Sequence, residues 1–369
     1  MSENKNIIHD KRLRVKTTIN EPDAVFYDIR KAPFDVYGFY NYTEEPQFKR
    51  TPDEVAKNTN RRTGELYLDT SGGRVRFSTD SAYIIIKAEM PTMTRMSHMP
   101  FANSAGFDLY IDAENDAESR FYLPFIPPQD AEGGYESRIK FKERKKRFVT
   151  INFPSYSQVE NLYIGVQDDA YIGEGKKYRF NTPVVFYGSS ITQGACASRP
   201  GHIYQNMLSR QLDFNYINLV FSGSCKGEDA MVDYITGLEM SAFVLDYDHN
   251  TPSVEHLQNT HRKVYDKIRA SHPDIPIIMM SRPDFDADGD GGYEYSIRRR
   301  RVIIDTYHYA IDNGDKNVYF IDGEGIFRGP FEDTCTVDGT HPTDLGFMYI
   351  AQKLEAVFRR VINNGTFKE

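Results

Sequence analysis

The chain has 369 residues, of which 27% are charged and 40% hydrophobic, and its formal net charge is −8. This composition is ordinary for a soluble globular protein, and the acidic balance argues against nucleic acid as a general partner. A chain of this length more often forms two domains than one. No apolar run is long enough to cross a bilayer, so no membrane partner is expected. The sequence leaves the oligomeric state open.

The start of the chain and its cysteines bear on the compartment. Residues 1–6 contain no apolar run, and we expect no secretory signal there. Three cysteines, Cys196, Cys225 and Cys335, are too few for a disulfide framework and favour a reducing compartment. A cytoplasmic location is therefore expected.

The first part of the chain is typical of short strands separated by turns. Predicted strands lie at residues 64–69, 74–77, 83–87, 107–111, 120–123, 148–151 and 162–166. Many short strands with regular turns favour a β-sandwich. We therefore predict an accessory all-β sandwich domain over residues 1–180.

From residue 181 the pattern changes, and strands alternate with helices. Predicted strands at 184–187, 216–221, 243–247, 275–280 and 318–321 are separated by predicted helices at 202–212, 228–238, 254–270, 297–311 and 344–362. This order predicts a parallel sheet with helices on both faces, an α/β/α domain over residues 181–369.

One strand of this second domain leads into a turn of small residues. Residues 184–187 read Val-Val-Phe-Tyr, and Gly188, Ser189 and Ser190 follow. Such a turn exposes a side chain at the carboxyl edge of a parallel sheet, where ligands of open α/β sheets bind. A serine in this position is a candidate nucleophile, although the two serines could also serve only to cap the following helix.

Candidate partners for such a serine follow later in the chain. His341 can accept a hydroxyl proton near neutral pH, and Asp338, three residues earlier, can fold back to hold its ring. The predicted strands at residues 216–221 and 243–247 are followed by small or polar residues, which should lie at the same edge of the sheet. They supply Gly223, with a backbone N–H, and Asn250, with a side-chain amide, as possible donors to an oxyanion.

These blocks, taken in order, resemble the SGNH/GDSL hydrolases. Residues 188–192, Gly-Ser-Ser-Ile-Thr, match the family's Gly-Asp-Ser-Ile-Thr and assign the nucleophile to Ser190, with Ser189 in place of the usual Asp. The third block reads Asp-His-Asn-Thr over residues 248–251, where many members have Gly-x-Asn-Asp. Residues 106–110 also resemble the Gly-x-Asp-Leu-Tyr signature of a β domain that precedes some bacterial SGNH hydrolases.

The resemblance implies a serine ester hydrolase that works through an acyl-enzyme on Ser190. His341 would be the base and Asp338 its orienting carboxylate, with the N–H groups of Ser190 and Gly223 and the amide of Asn250 holding the oxyanion. No cofactor or metal is implied. By analogy with carbohydrate esterases, the expected substrate is a small-molecule or oligosaccharide ester, with O-acetyl groups first. An acyltransferase and a non-catalytic carbohydrate-binding protein are the alternatives.

Four further side chains are candidate substrate contacts. His249 adjoins Asn250, and Arg282 ends a predicted strand, although either could serve packing or a structural salt bridge instead. Arg95 and His98 lie in a methionine-rich segment, residues 90–100, that could line the pocket or fill the core between the domains.

Two charged stretches have other interpretations. Residues 286–291 match the opening of a calcium loop, but Ile297 occupies the twelfth position, where the loop requires a bidentate Glu. We therefore predict an acidic loop without a metal. The four arginines at residues 298–301 are expected on the surface of the next helix.

Overall fold

A computed structural model describes residues 18–114, 118–283 and 292–367. Two compact units divide the chain. The first runs to Arg50 and also holds Leu68–Lys177 and Arg199–Gly201, whereas the second holds Thr51–Tyr67, Tyr178–Ser198 and the chain from His202 onward. The predicted domain limits, residues 1–180 and 181–369, stay a prediction.

Two antiparallel sheets form the first unit. One has the order β1-β9-β4-β7, and the other has the order β10-β3-β8-β5-β6, with β2 paired to β3. The strands are β1 (Ala24–Asp28), β2 (Asp35–Tyr37), β3 (Arg74–Thr79), β4 (Tyr83–Glu89), β5 (Phe107–Asp112), β6 (Ser119–Phe125), β7 (Gly134–Lys140), β8 (Arg147–Asn152), β9 (Asn161–Gln167) and β10 (Ile172–Glu174).

Side chains from both sheets share one apolar core. Ile86 and Ile164 from the first sheet, and Phe77, Leu109 and Ile151 from the second, are fully buried in it. Two sheets joined by their apolar faces are a sandwich, so the predicted all-β architecture is confirmed.

The Gly-x-Asp-Leu-Tyr stretch, residues 106–110, leads into β5 and has a clear structural role. The Asp108 carboxylate is fully buried and accepts hydrogen bonds from Arg199 Nη1 at 2.9 Å and from the Gly201 N–H at 2.8 Å. Asn152 donates to its other oxygen. A Cβ at Gly106 would lie 2.3 Å from the Ala102 carbonyl oxygen, so only glycine fits there. The motif therefore holds residues 199–201 as part of the first unit.

The second unit contains a five-stranded parallel sheet of order β12-β11-β13-β14-β15. Its strands are β11 (Phe180–Gly188), β12 (Phe214–Asn218), β13 (Ala242–Asp246), β14 (Ile277–Met280) and β15 (Val318–Ile321). After β11 the chain adds β12 on one side and all later strands on the other. Such a reversal places a crevice at the carboxyl end of β11, where ligands of these sheets bind.

Helices surround this sheet as the sequence predicts. Alternate sheet residues such as Phe186 and Val244 share a core with α5 (Tyr204–Leu212) and α9 (Asp344–Asn363). Ring contacts on the opposite face join the sheet to α7 (Val254–Ser271) and α8 (Gly292–Asp312). The α/β/α class is confirmed. The remaining helices are α1 (Asp53–Thr59), α2 (Arg61–Leu66), α3 (Phe101–Ser104), α4 (Ser190–Gln193) and α6 (Asp229–Thr236).

The strand predicted at residues 64–69 is wrong, because residues 61–66 form α2. The Asn60 side chain caps this helix by accepting the Thr63 N–H at 2.8 Å, and Arg61 pairs with Glu65 one turn later. A cap and an i,i+4 ion pair favour a helix over a strand. Among the described residues, no helix is both long and apolar enough to span a bilayer.

Candidate active site

The Ser190 turn is built by a capped helix that begins directly after β11. Ser189 is the N-cap of α4, and its hydroxyl accepts the Ile191 N–H at 3.2 Å. Gly194, with φ of +101°, ends the helix in the left-handed region. Serine serves the capping role as well as aspartate does, which accounts for Ser189 at this position. Ser190 is therefore the first helical residue, beyond the carboxyl end of the strand.

A buried carboxylate fixes this turn to the neighbouring strand. Asp246, the last residue of β13, accepts hydrogen bonds from the Thr192 hydroxyl at 2.9 Å and the Tyr204 hydroxyl at 3.0 Å. Burial raises the pKa of Asp246 to about 6, although the two hydroxyl hydrogen bonds lower it. A Cβ at Gly188 would lie 2.2 Å from Thr192 Oγ1, so glycine is required where the strand meets the turn.

The structure brings Ser190, His341 and Asp338 into one chain of hydrogen bonds. Ser190 Oγ lies 2.9 Å from His341 Nε2, and His341 Nδ1 lies 2.8 Å from Asp338 Oδ2. A carboxylate that holds the Nδ1 proton leaves Nε2 unprotonated and able to accept the hydroxyl proton. This is the arrangement of nucleophile, base and orienting carboxylate that acyl transfer requires.

The local turn around Asp338 keeps its carboxylate charged. Asp338 Oδ1 accepts the backbone N–H of His341 at 2.8 Å and that of Thr340 at 3.1 Å. Desolvation raises the pKa of Asp338, but the hydrogen bonds from the His341 backbone and ring and from Thr340 outweigh it, so the pKa is lowered. Asp338 therefore stays ionised at neutral pH.

The loops that carry Gly223 and Asn250 are tied to the Ser190 turn. Gln193 Oε1 accepts the Ser222 N–H at 2.9 Å, and the Asn250 side-chain amide donates to the Phe221 carbonyl at 3.2 Å. Gly223 has φ of +68°, and a Cβ there would meet no atom of the described residues within 4 Å. Open space beside a backbone N–H suits an oxyanion donor, and this role stays a prediction for both residues.

The predicted substrate contacts in the second unit lie in different surroundings. Arg282 is buried, with 2% of its surface exposed, and its backbone N–H donates to Asp248 Oδ2 at 3.0 Å. His249 is half-buried in the three-residue 3₁₀ turn Asp248–Asn250. Contact of either side chain with substrate stays a prediction.

The predicted contacts in the first unit also differ from each other. Arg95 donates to the carbonyls of Gln129 and Ala131 and lies over the Phe101 ring, 4.4 Å from its centroid. Its guanidinium is thus engaged within its own unit. His98 is exposed. Contact of either residue with substrate stays a prediction.

Cys196 is a thiol beside the proposed orienting carboxylate. It is buried and has φ of +68°, uncommon for a residue other than glycine. Burial raises the pKa of its thiol to about 12, and the charge of Asp338 adds to this effect. A thiol with this pKa is protonated at neutral pH and is not a nucleophile.

The expectation that residues 298–301 are all surface arginines is wrong for Arg299. Only 2% of Arg299 is exposed, and its guanidinium binds the turn that carries Asn250. The buried residues of α8 include 296, 299, 302, 303, 306 and 310, so Arg299 lies on the apolar stripe of the helix. The helical spacing of apolar residues, continued across the four arginines, could have predicted that Arg299 is buried. The calcium-like stretch, residues 286–291, lies outside the described residues.

Comparisons with known families agree with the resemblance drawn from the sequence. Residues 181–359 match the GDSL-like Lipase/Acylhydrolase family, and residues 24–172 match the GxDLY family, the N-terminus of Esterase_SGNH_hydro-type. Among curated proteins, no sequence matches the chain.

Several solved structures match most of the chain. A protein from Bacteroides ovatus named as a GDSL-like lipase has 26% identity and a TM-score of 0.82, over 92% of this chain and 98% of its own. The salicylyl-acyltransferase SsfX3 of a tetracycline biosynthetic pathway has 17% identity and a TM-score of 0.74, over 92% and 98%. A family two carbohydrate esterase from Clostridium thermocellum has 12% identity and a TM-score of 0.61, over 90% and 99%.

Proposed function

The chain belongs to the SGNH/GDSL hydrolases that carry a GxDLY N-terminal domain, and we propose that it removes short acyl groups, acetyl first, from a carbohydrate ester. The observation that carries the proposal is the hydrogen-bonded chain from Ser190 Oγ through His341 to Asp338. A serine, its base and an orienting carboxylate have no use in a protein that only binds sugars.

In the proposed reaction Ser190 Oγ attacks the ester carbonyl while His341 Nε2 takes the hydroxyl proton. Asp338 holds the ring in the required tautomer and stabilises the imidazolium. The developing oxyanion binds to the N–H groups of Ser190 and Gly223 and to the Asn250 amide. His341 then protonates the leaving alcohol, and water, activated by the same imidazole, cleaves the acyl-enzyme.

The proposed substrate class has support from neighbours of the same fold. A structure of the Clostridium thermocellum esterase is of its complex with cellohexaose, and an acetyl xylan esterase from Butyrivibrio proteoclasticus matches with a TM-score of 0.55. Both share the fold of this chain, and the acetyl and carbohydrate parts of the proposal follow by analogy with them.

Acyl transfer to an alcohol is the second candidate. It uses the same acyl-enzyme, and the salicylyl-acyltransferase SsfX3 matches 92% of this chain with a TM-score of 0.74. The two reactions differ only in the nucleophile that reaches the acyl group.

A matched pair of serine variants tests the proposal. Ser190→Ala should abolish release of p-nitrophenol from p-nitrophenyl acetate, whereas Ser189→Ala loses only a helix cap, which costs about 1 kcal/mol of stability. The Ser189→Ala enzyme should therefore keep most of its kcat. A normal kcat in folded Ser190→Ala protein would reject the nucleophile.

Product analysis distinguishes the two candidate reactions. The wild-type enzyme is incubated with acetylated xylo- or manno-oligosaccharides, with and without an added alcohol. Free acetate as the main product under both conditions supports hydrolysis. An ester of the added alcohol as the main product supports acyl transfer.

A further inference from the structure

A fully buried ion pair joins the first residue of the third block, Asp248, to Arg299 of α8. Arg299 Nε donates to Asp248 Oδ1 at 2.6 Å, and the exposed fractions of the two side chains are 2% and 1%. The second carboxylate oxygen accepts the Arg282 N–H at 3.0 Å. Two charges removed from water are tolerated only when both are well paired, as they are here.

The same guanidinium binds both ends of the turn that carries Asn250. Besides the Asp248 carboxylate, Arg299 donates to the Asp248 carbonyl, the Thr251 hydroxyl and the Thr251 carbonyl, the last at 3.2 Å. Asn250 lies between these two anchored residues. Its own N–H donates to the Tyr247 carbonyl at 3.0 Å.

The two anchored positions are those at which the chain departs from the family pattern. Where many SGNH hydrolases have Gly-x-Asn-Asp, this chain has Asp248 and Thr251 on either side of His249 and Asn250. The side chains of Asp248 and Thr251 both accept hydrogen bonds from Arg299. The two substituted positions are thus linked through Arg299, which lies 48 positions after Thr251.

We propose that Arg299 is a positioning residue that fixes the Asn250 amide as a donor to the oxyanion. This inference rests on the proposed esterase function. A 3₁₀ turn of three residues has few hydrogen bonds of its own, so the contacts with Arg299 add to the Asn250–Phe221 hydrogen bond in holding it in place. An oxyanion donor is effective only when it is held at the position where the charge develops.

Substitution of Arg299 should change turnover more than substrate binding. Arg299→Lys keeps the charge but cannot bind both ends of the turn, because it lacks the planar fork of five donors. We expect it to lower kcat on p-nitrophenyl acetate by about tenfold to a hundredfold, with KM little changed, since the lost interaction forms in the transition state. Arg299→Met should lose at least as much.

Arg269 provides a matched control in the same unit. It also forms an ion pair, with Asp315 at 2.9 Å, whose two side chains are 15% and 8% exposed, and it donates to the carbonyls of Ile275 and Asn317. These residues precede β14 and β15, at the sheet edge opposite the Ser190 turn. Arg269→Met should lower the melting temperature as Arg299→Met does and leave kcat unchanged.

A double-mutant cycle with Asn250→Ala tests whether Arg299 acts through Asn250. If it does, Asn250→Ala should lower kcat about a hundredfold in the wild type and far less in Arg299→Lys. Two outcomes would overturn the inference. One is a folded Arg299→Lys enzyme with wild-type kcat, and the other is an Asn250→Ala substitution that lowers kcat as much in Arg299→Lys as in the wild type. Should Arg299→Met fail to fold, Arg299→Lys alone decides. Persistent hydrolysis by Ser190→Ala in the same series would instead reject the proposed function.

Discussion

The Thr192 hydroxyl donates to the Asp246 carboxylate at 2.9 Å and so joins the nucleophile turn to the end of the neighbouring strand. Two residues later, Asp248 binds Arg299 at the turn that carries Asn250. One strand end thus supplies two buried carboxylates with different partners, hydroxyl groups for Asp246 and a guanidinium for Asp248. Asp246, without a cation among the hydrogen-bond partners described here, has its pKa raised to about 6.

The raised pKa of Asp246 predicts a specific pH dependence of stability. The unfolded-state pKa is near 3.8, so between pH 4 and pH 6 the native state binds more protons than the unfolded state, and stability falls as the pH rises. A difference of one in pKa corresponds to about 1.4 kcal/mol, so the loss is about 3 kcal/mol. The amide oxygen of Asp246→Asn can still accept both hydroxyl hydrogen bonds. Measured by urea unfolding, the free energy of unfolding of this variant relative to the wild type should therefore rise by about 3 kcal/mol between pH 4 and pH 7.

The wild type must be compared with Asp246→Asn because His261 changes the stability with pH in the opposite direction to Asp246. Burial lowers the pKa of His261 from 6.5 to about 4, so its contribution to stability is present above pH 6.5 and is lost as the pH falls toward 4. His261 is unchanged in Asp246→Asn, and its effect cancels in the difference. A difference that does not vary with pH would contradict the raised pKa of Asp246.

Asp338→Asn should slow turnover strongly without unfolding the protein. The amide can accept the backbone N–H groups that Asp338 Oδ1 now accepts, but it no longer holds His341 in the tautomer whose Nε2 carries no proton. The same change in a serine-protease triad costs about 10⁴ in kcat, and we expect about 10² to 10⁴ here because Asp338 is open to water. Steady-state kinetics on p-nitrophenyl acetate measures the loss.

Asp333→Asn is the control for this prediction. Asp333 is an exposed carboxylate in the 3₁₀ turn Glu332–Thr334, and its replacement removes the same charge from the same segment. It should leave kcat unchanged. Equal rates in the Asp338 and Asp333 variants would show that another group orients His341.

Two glycines near the proposed site should respond differently to alanine. At Gly188 a Cβ would lie 2.2 Å from Thr192 Oγ1 and 2.8 Å from the Asp246 carbonyl oxygen, so Gly188→Ala must displace the Thr192–Asp246 hydrogen bond. We expect a loss of about 3 kcal/mol or more, and much lower activity. At Gly223 only the left-handed backbone opposes a side chain, which costs about 1 to 2 kcal/mol. Thermal unfolding of both variants measures the two losses of stability. Similar losses would show that neighbouring groups move to accommodate the new methyl group at Gly188.

The sequence was sufficient to predict what local pattern controls. Periodicity predicted the change from antiparallel strands to a βαβ order, and β15 lies at the predicted residues. The motif blocks predicted that Ser190, Asp338 and His341 would meet, because each follows a recognisable signal close to it in the chain. Their chemical roles remain to be tested by the variants above.

What the sequence did not reveal depends on contacts distant along the chain. Arg299 looked like one arginine of a charged run, and its partner Asp248 lies 51 residues earlier. Asp246 is an ordinary strand-end aspartate until Tyr204 and Thr192 are seen to donate to it. Residues 64–69 resemble a strand, but the Asn60 cap selects a helix that runs to Leu66. Partners so far apart leave no periodic signal in a single sequence.

The hydrogen bonds that Asp108 accepts from Arg199 and Gly201 have a consequence for biosynthesis and for dissection of the protein. The first compact unit needs three residues that the ribosome adds only after the Ser190 turn. A truncated chain ending at residue 177 would contain every strand of both antiparallel sheets, yet its buried Asp108 carboxylate would lack two of its donors. Such a fragment should be less stable than the same unit in the whole protein, and during translation the sandwich can be completed only once residue 201 has left the exit tunnel.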